Sequence, residues 1–163
     1  ERLCRAIESY GLAYVEDPLP PENTDAMREL KRRVDVPLLT GENRYGRHGF
    51  RDLIETQAVD FLAPDVPKTG GIAETKKIAD MAEAYYQPIV PHNIGSPVAT
   101  VATAHVGATV PNFIALEYHA REVPWWENLV DGDDLIQDGA IEVPDEPGLG
   151  IELDWDVLRE HEK

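Results

Sequence analysis

Five short apolar runs recur along the chain, and each ends in a residue that can bind a metal or carry a proton. The runs end at Glu16, Glu42, Asp65, His92 and Glu117, with 23 to 27 residues from one end to the next. That interval holds one strand, one helix and two short loops. Repetition of this unit predicts parallel strands with helices outside, which places the five polar residues at the carboxyl ends of the strands.

The stretches between these runs have apolar residues at helical spacing. Residues 21–34, 47–57 and 71–86 each bring several apolar side chains onto one face, which predicts amphipathic helices. Residues 96–110 are nearly all small or apolar, which predicts a helix buried on several sides. Residues 1–10 are interpreted as the end of a preceding helix.

The arrangement favours a barrel over an open, doubly wound sheet, because five successive strands deliver polar ends toward one point. Nothing supports nucleotide binding, since neither G-x-G-x-x-G nor a P-loop occurs. Five strands are fewer than the eight that close such a barrel. We therefore expect residues 1–120 to form a partial (β/α) barrel belonging to a longer protein. Residues 121–163, rich in turns, are expected to be an extension that folds back over the barrel or onto a domain outside this sequence.

The charge of the chain limits its partners. It has 31 acidic and 15 basic residues, a formal net charge of −16, and the acidic residues are spread along the sequence. Nucleic acid and anionic membrane surfaces are poor partners for such a protein. The excess predicts a surface adapted to a saline cytoplasm, and the alternative is an acidic protein from an ordinary environment. The single cysteine, Cys4, excludes an internal disulfide and favours a reducing compartment, so we expect a cytoplasmic protein without a membrane span.

Five motifs give the chain a resemblance to a known family. In order and spacing, "YVEDP", "TGEN", "APDVPKTGG", "VPHN" and "ALEYH" resemble the second barrel half of the mandelate racemase subgroup in the enolase superfamily, over residues 5–151. Within that subgroup, "VPHNIGSPVATVATAH" with "LEYH" and "PWW" is most similar to dehydratases of gluconate-, xylonate-, arabinonate- or galactonate-like acids. The resemblance implies an α/β fold, the second half of a TIM-type (β/α)7β barrel, with an N-terminal capping domain outside this sequence.

The resemblance also implies roles for the residues at the strand ends. Glu16 and Glu42 match two of three carboxylate ligands of Mg²⁺, a hard cation that prefers oxygen, and the third, an aspartate, lies on a strand before residue 1. Asp65 and His92 match a paired base, in which the carboxylate fixes the imidazole tautomer. Glu117 matches a group that bonds the substrate carboxylate. Without the family, Glu16 would be interpreted as an exposed turn carboxylate and His92 as a structural histidine.

Further residues are candidates for the substrate pocket or the barrel mouth. Lys68 matches a family lysine near the mouth, although a structural ion pair explains it equally well. Trp126 could line the pocket or pack in the core. The predicted substrate-binding residues are Asn43, Arg47, Asn93, His119 and Trp126.

The expected function is a Mg²⁺-dependent acid-sugar dehydratase. In the family a base removes the α-proton, the metal stabilises the enolate, and loss of the β-hydroxyl gives a 2-keto-3-deoxy acid. The partner would be a small sugar acid, and we expect a homo-oligomer in the complete enzyme. Two alternatives stay open: a racemase or epimerase of a 2-hydroxy acid that uses the same His92, and a non-catalytic acidic fragment whose carboxylates attract cations only as counterions.

The net charge predicts that salt stabilises the folded chain. Repulsion among carboxylates destabilises a compact state in dilute buffer, and at 1 M salt the Debye length falls to about 3 Å, which screens it. We expect the thermal midpoint to rise between low and molar KCl, as followed by circular dichroism. A midpoint that does not change would contradict adaptation to high salt.

Overall fold

The parallel strands follow one another in chain order. The computed structural model describes residues 1–118, 123–126, 128–131 and 134–162. Strands β1 (Val15–Glu16), β2 (Leu38–Thr40) and β3 (Phe61–Leu62) form a parallel sheet in the order β1-β2-β3. Parallel bridges from β3 to Ile89 and from Ile89 to Phe113 add two more strand positions. All five apolar runs therefore lie side by side, which confirms the predicted half-barrel.

Helices fill the intervals between the strands, as predicted, with shorter bounds. The helix expected over 21–34 begins at Thr24, because the Asn23 side chain accepts a hydrogen bond from the Ala26 N–H at 3.0 Å and caps it. A 3₁₀ turn covers Glu8–Tyr10. The helices are α1 (Arg2–Ile7), α2 (Thr24–Lys31), α3 (Gly46–Glu55), α4 (Val66–Thr69), α5 (Ile72–Glu83), α6 (Pro97–Gly107) and α7 (Trp155–Glu160).

The larger hydrophobic core lies between the sheet and the outer helices. Leu38, Leu62 and Ile89 from successive strands pack with Phe50 of α3 and Ile78 of α5, and all five side chains are fully buried. Burial of each side chain of this size contributes roughly 1.5–3 kcal/mol. This core fixes the face of the sheet on which the helices lie.

A smaller cluster occupies the opposite face of the sheet. Leu39, Ala63 and Val90 are buried there, with Tyr14 and Phe61 against them at a ring-centroid distance of 5.8 Å. Neighbouring residues of a strand point to opposite faces, so this cluster lies on the face away from the helices, the interior of the half-barrel. This cluster is the hydrophobic floor of the site, because the polar residues at the strand ends lie directly next to it.

The C-terminal segment contacts the half-barrel through α6. His105 Nε2 lies 3.0 Å from the Leu149 carbonyl oxygen. Val130 and Leu153 form an antiparallel bridge, and Leu129 beside them is buried. The predicted division at residue 120 stays a prediction. No helix in the described ranges is long and apolar enough to cross a membrane.

Gly41, between β2 and Glu42, occupies a position that another residue would disturb. Its φ is +147°, and an added Cβ would lie 2.9 Å from both the Ala63 main-chain nitrogen and Phe50 Cε1. We expect Gly41→Ala to lower the free energy of unfolding by about 1–3 kcal/mol, because backbone strain and overpacking add, as measured by urea unfolding. Gly11→Ala is the control, since Gly11 also has positive φ but nothing within 4 Å of an added Cβ. Equal losses in the two variants would show that the close contact is unimportant.

Candidate active site

Strand alternation brings three of the predicted residues onto the interior face. Glu16 is two residues after Tyr14, and Asp65 and His92 are two residues after the buried Ala63 and Val90. Because side chains repeat every second residue along a strand, all three continue the interior row. They therefore reach the carboxyl edge above the hydrophobic floor.

His92 lies at the centre of the site and is only 4% exposed. Its Nδ1 is 2.8 Å from Asp65 Oδ2, and its Nε2 is 2.6 Å from Glu42 Oε2. Glu117 Oε2 lies 3.9 Å from the same Nε2. The imidazole thus joins the ends of three strand positions, and an imidazolium can donate to a carboxylate from each nitrogen.

The carboxylates around His92 shift its proton affinity. Burial lowers the pKa of His92, but the hydrogen bond to Asp65 and the charges of Glu117 and Glu42 outweigh it, so the pKa is raised above its ordinary value. Burial likewise raises the pKa of Asp65, but hydrogen bonds from His92 and from the Lys68 main chain lower it more, so the net shift is downward. The pair therefore favours an ionised aspartate beside a basic imidazole.

Asp65 is held in place by the helix that follows it. It is the N-cap of α4, and its Oδ1 accepts the Lys68 main-chain N–H at 2.8 Å. Oδ2 is left to face His92 Nδ1. One cap thus orients the carboxylate that orients the imidazole.

Glu117 reaches the site through an irregularity in the last strand position. Ile114 N–H donates to the Ile89 carbonyl, whereas Glu117 N–H donates to the Pro91 carbonyl, so three residues on one strand oppose two on the other. This extra residue is a β-bulge. In a regular strand Glu117 would share the face of Phe113, which packs in the outer core. The bulge turns it to the interior.

Glu16 and Glu42 end neighbouring strands and face other carboxylates. Burial, then the charges of Glu117, Asp17 and Glu42, raise the pKa of Glu16, and His92 opposes them only weakly. Glu42 Oε1 accepts the Asn43 carboxamide at 2.8 Å, and Lys68 Nζ lies 3.9 Å from Oε2. Crowded oxygen donors of like charge suit a hard divalent cation. Within the part of the chain that is described, no group of three or more His, Cys, Asp or Glu side chains is arranged to hold a metal.

The predicted substrate-binding residues lie in different surroundings. Asn43 is exposed and borders the site through Glu42. Arg47 pairs with Glu74 at 3.2 Å, so its substrate contact stays a prediction. Trp126 packs edge-on against Trp125, with ring centroids 6.3 Å apart, and its role also stays a prediction. His119 lies outside the described residues.

Asn93 lies deeper than expected, and its contact with substrate stays a prediction. We expected its side chain to bind substrate, but it is 3% exposed and its carboxamide is already hydrogen-bonded at both ends, to Thr100 and to the Gly95 N–H. The main-chain N–H of Asn93 instead donates to Glu117 Oε2 at 3.2 Å. Sequence reasoning missed Thr100, because a threonine in an apolar helix has no pattern that marks a partner seven residues away.

Sequence reasoning also missed how Glu16 is fixed. Asp17, the next residue, has φ +38° and accepts a hydrogen bond from the buried Thr40 hydroxyl of β2. Its main-chain N–H donates to the Leu39 carbonyl. Asp17 therefore attaches the end of β1 to β2, whereas the Glu16 side chain lies in the site.

Comparisons with known proteins place this arrangement among related ones. A family model described as "Enolase C-terminal domain-like" matches residues 1–157. D-xylonate dehydratase from Haloferax volcanii is 48% identical over 99% of this chain and 39% of its own length. Arabinonate dehydratase from Saccharolobus solfataricus is 31% identical over 96% of this chain and 42% of its own length.

Solved structures agree with these relatives. A mandelate racemase/muconate lactonizing enzyme-like protein from Rubrobacter xylanophilus superposes with a TM-score of 0.95 at 50% identity, over 99% of this chain and 42% of that one. A chain described as a dehydratase from Salmonella superposes with a TM-score of 0.91 at 37% identity, over 98% of this chain and 40% of that one. The chain thus spans about two fifths of the length of these relatives.

The lowered pKa of Asp65 predicts acid-sensitive stability. A carboxylate whose pKa is lower in the folded state stabilises the fold above its unfolded pKa, near 3.9, and this contribution is lost as the pH falls through the folded value. We expect Asp65→Asn to cost about 1.5–3 kcal/mol at pH 6, the range for hydrogen bonds to charged groups, and less toward pH 3. Urea unfolding across that range measures both.

The matched control is Asp145→Asn, which makes the same chemical change on an exposed side chain. It should leave the free energy of unfolding within about 0.5 kcal/mol of the parent chain. A deficit of Asp65→Asn that stays constant from pH 6 to pH 3 would contradict the linkage.

Proposed function

Because the chain belongs to the enolase C-terminal domain-like family, we propose that it carries the base-bearing half of an acid-sugar dehydratase active site. The observation that supports this most directly is the buried His92 imidazole, bonded through Nδ1 to Asp65 at 2.8 Å. Such a pair provides a proton acceptor of fixed tautomer and raised basicity. The acid-sugar dehydratases among the relatives support the substrate class.

In the proposed reaction, His92 Nε2 is the atom that exchanges the proton. Nδ1 stays bonded to Asp65, whereas Nε2 faces the edge shared with Glu42 and Glu117. Unprotonated Nε2 removes the α-proton, and the electron pair of that C–H bond forms the new double bond. The β C–O bond breaks, and its oxygen takes that proton from the His92 imidazolium and leaves as water. The resulting enol tautomerises to a 2-keto-3-deoxy acid.

Glu117 is proposed to bond the substrate carboxylate. Its carboxyl group is about one-third exposed, and Oε2 is held by the Asn93 N–H. A carboxyl group can bond a carboxylate only when one of the two carries a proton. Glu117 would therefore act as a hydrogen-bond donor that stabilises the charge gathered on the substrate.

Mg²⁺ is the cofactor we propose, with Glu16 and Glu42 as ligands from this chain. The donors fit in kind, since both are carboxylates and the raised pKa of Glu16 reflects burial and repulsion that a cation would relieve. When bound, the cation supplies positive charge for a substrate carboxylate and the charge that develops on it. Two carboxylates do not complete an octahedral set, which waters, the substrate and the aspartate that the family resemblance places before residue 1 would fill.

The function is tested on the full-length protein with a panel of aldonic acids, xylonate among them, in the presence of Mg²⁺. A 2-keto-3-deoxy product, detected by its reaction with semicarbazide, is the expected result. Formation of an epimer without a keto acid would replace dehydration by epimerisation. No product, together with no saturable Mg²⁺ binding in isothermal titration, would indicate a non-catalytic protein.

We expect His92→Asn to lower kcat by about 10²–10⁴, the usual contribution of one general acid–base group, because asparagine cannot exchange the proton. The rate of keto-acid formation is the measurement. His161→Asn is the matched control, since His161 is exposed in the C-terminal segment, and it should retain activity. Near-normal turnover by His92→Asn would remove this residue from the mechanism.

A further inference from the structure

We propose that Asn93 is a positioning residue that sets the place of Glu117 beside His92, and that it acts through Thr100 of α6. The inference deepens the proposed function and rests on it only for the chemical task of Glu117. The contacts among Asn93, Thr100 and Glu117 are independent of any reaction.

The Asn93 carboxamide ties the loop after His92 to α6. Its Nδ2 donates to Thr100 Oγ1 at 2.9 Å, and its Oδ1 accepts the Gly95 N–H at 3.3 Å. Only 3% of the residue is exposed. An unmade hydrogen bond at such depth is costly, so the carboxamide has one favourable position.

The main chain of Asn93 contacts the site directly. Its N–H donates to Glu117 Oε2 at 3.2 Å, and the same oxygen lies 3.9 Å from His92 Nε2. Because Asn93 directly follows His92, one short segment holds both the imidazole and the donor that holds Glu117. A shift of the segment would change the distance between them.

Thr100 is the fixed end of this connection. Its hydroxyl accepts from Asn93 and donates to the Ser96 carbonyl at 3.2 Å, and the residue is 1% exposed. The loop is seated directly on the helix, since an added Cβ at Gly95 would lie 2.6 Å from Ala99 Cβ. The position of α6 is thereby transmitted to Glu117.

The test compares Thr100→Val, which removes the hydroxyl at similar volume, with Thr100→Ser, which keeps it. The readout is the Asn93 main-chain amide in ¹⁵N–¹H spectra and in hydrogen exchange. We expect Thr100→Val to move the amide proton upfield and to speed its exchange about tenfold, the equivalent of one lost hydrogen bond. Thr100→Ser should retain the parent signal. Glu117→Gln should also move the amide proton, because a carboxamide replaces the carboxyl group whose Oε2 accepts the Asn93 N–H.

Two results would overturn the proposal. One is a Thr100→Val protein that loses thermal stability while the Asn93 amide signal stays in place, as a merely structural threonine would. The other is an amide unmoved by Glu117→Gln, which decides the question even if Thr100→Val fails to fold. In the full-length protein, kcat/KM should fall about tenfold in Thr100→Val and recover in Thr100→Ser. If the amide responds as expected but no protein forms a keto acid, the positioning role stands and the proposed function fails.

Discussion

The buried contact between His92 and Asp65 is the interaction on which the rest of the site depends. An imidazole that is 4% exposed keeps a raised pKa only while an ionised carboxylate faces it, since burial alone would drive it neutral. Asp65 in turn stays ionised because the imidazole and the α4 main chain both donate to it. Each group stabilises the charged form of the other. Neither could be buried alone without a large cost.

Strand geometry brings this pair together, and its departures from regularity complete the site. Alternation aims Glu16, Asp65 and His92 into the half-barrel because each continues an interior row. Glu117 does not follow this alternation. It lies opposite Pro91, which has no main-chain N–H to donate, and the bulge at this point turns the Glu117 side chain toward the interior. A regular strand would have aimed that carboxylate toward the helices.

The periodic features of the fold were predictable from sequence, and the local ones were not. Strand ends repeat at a nearly constant interval, so the parallel order and the outer helices followed from spacing. The start of α2 was misplaced because Asn23, rather than the proline at 21, sets the first turn. Motif position placed Asn93 near the site but could not show that its side chain is buried. Its partner Thr100 becomes visible only when the loop lies on α6.

The carboxylates at the strand ends are gathered against their own repulsion. Glu16, Glu42 and Glu117 lie near one another, with Lys68 and the basic imidazole of His92 beside them. The fold must therefore supply the energy that keeps the carboxylates close. That energy comes from the buried core below, where Leu38, Leu62 and Ile89 fix the strands. Charge held close in this way is what the proposed cation would neutralise. The packing that fixes the strands therefore also maintains the repulsion among these carboxylates, which the proposed metal would relieve.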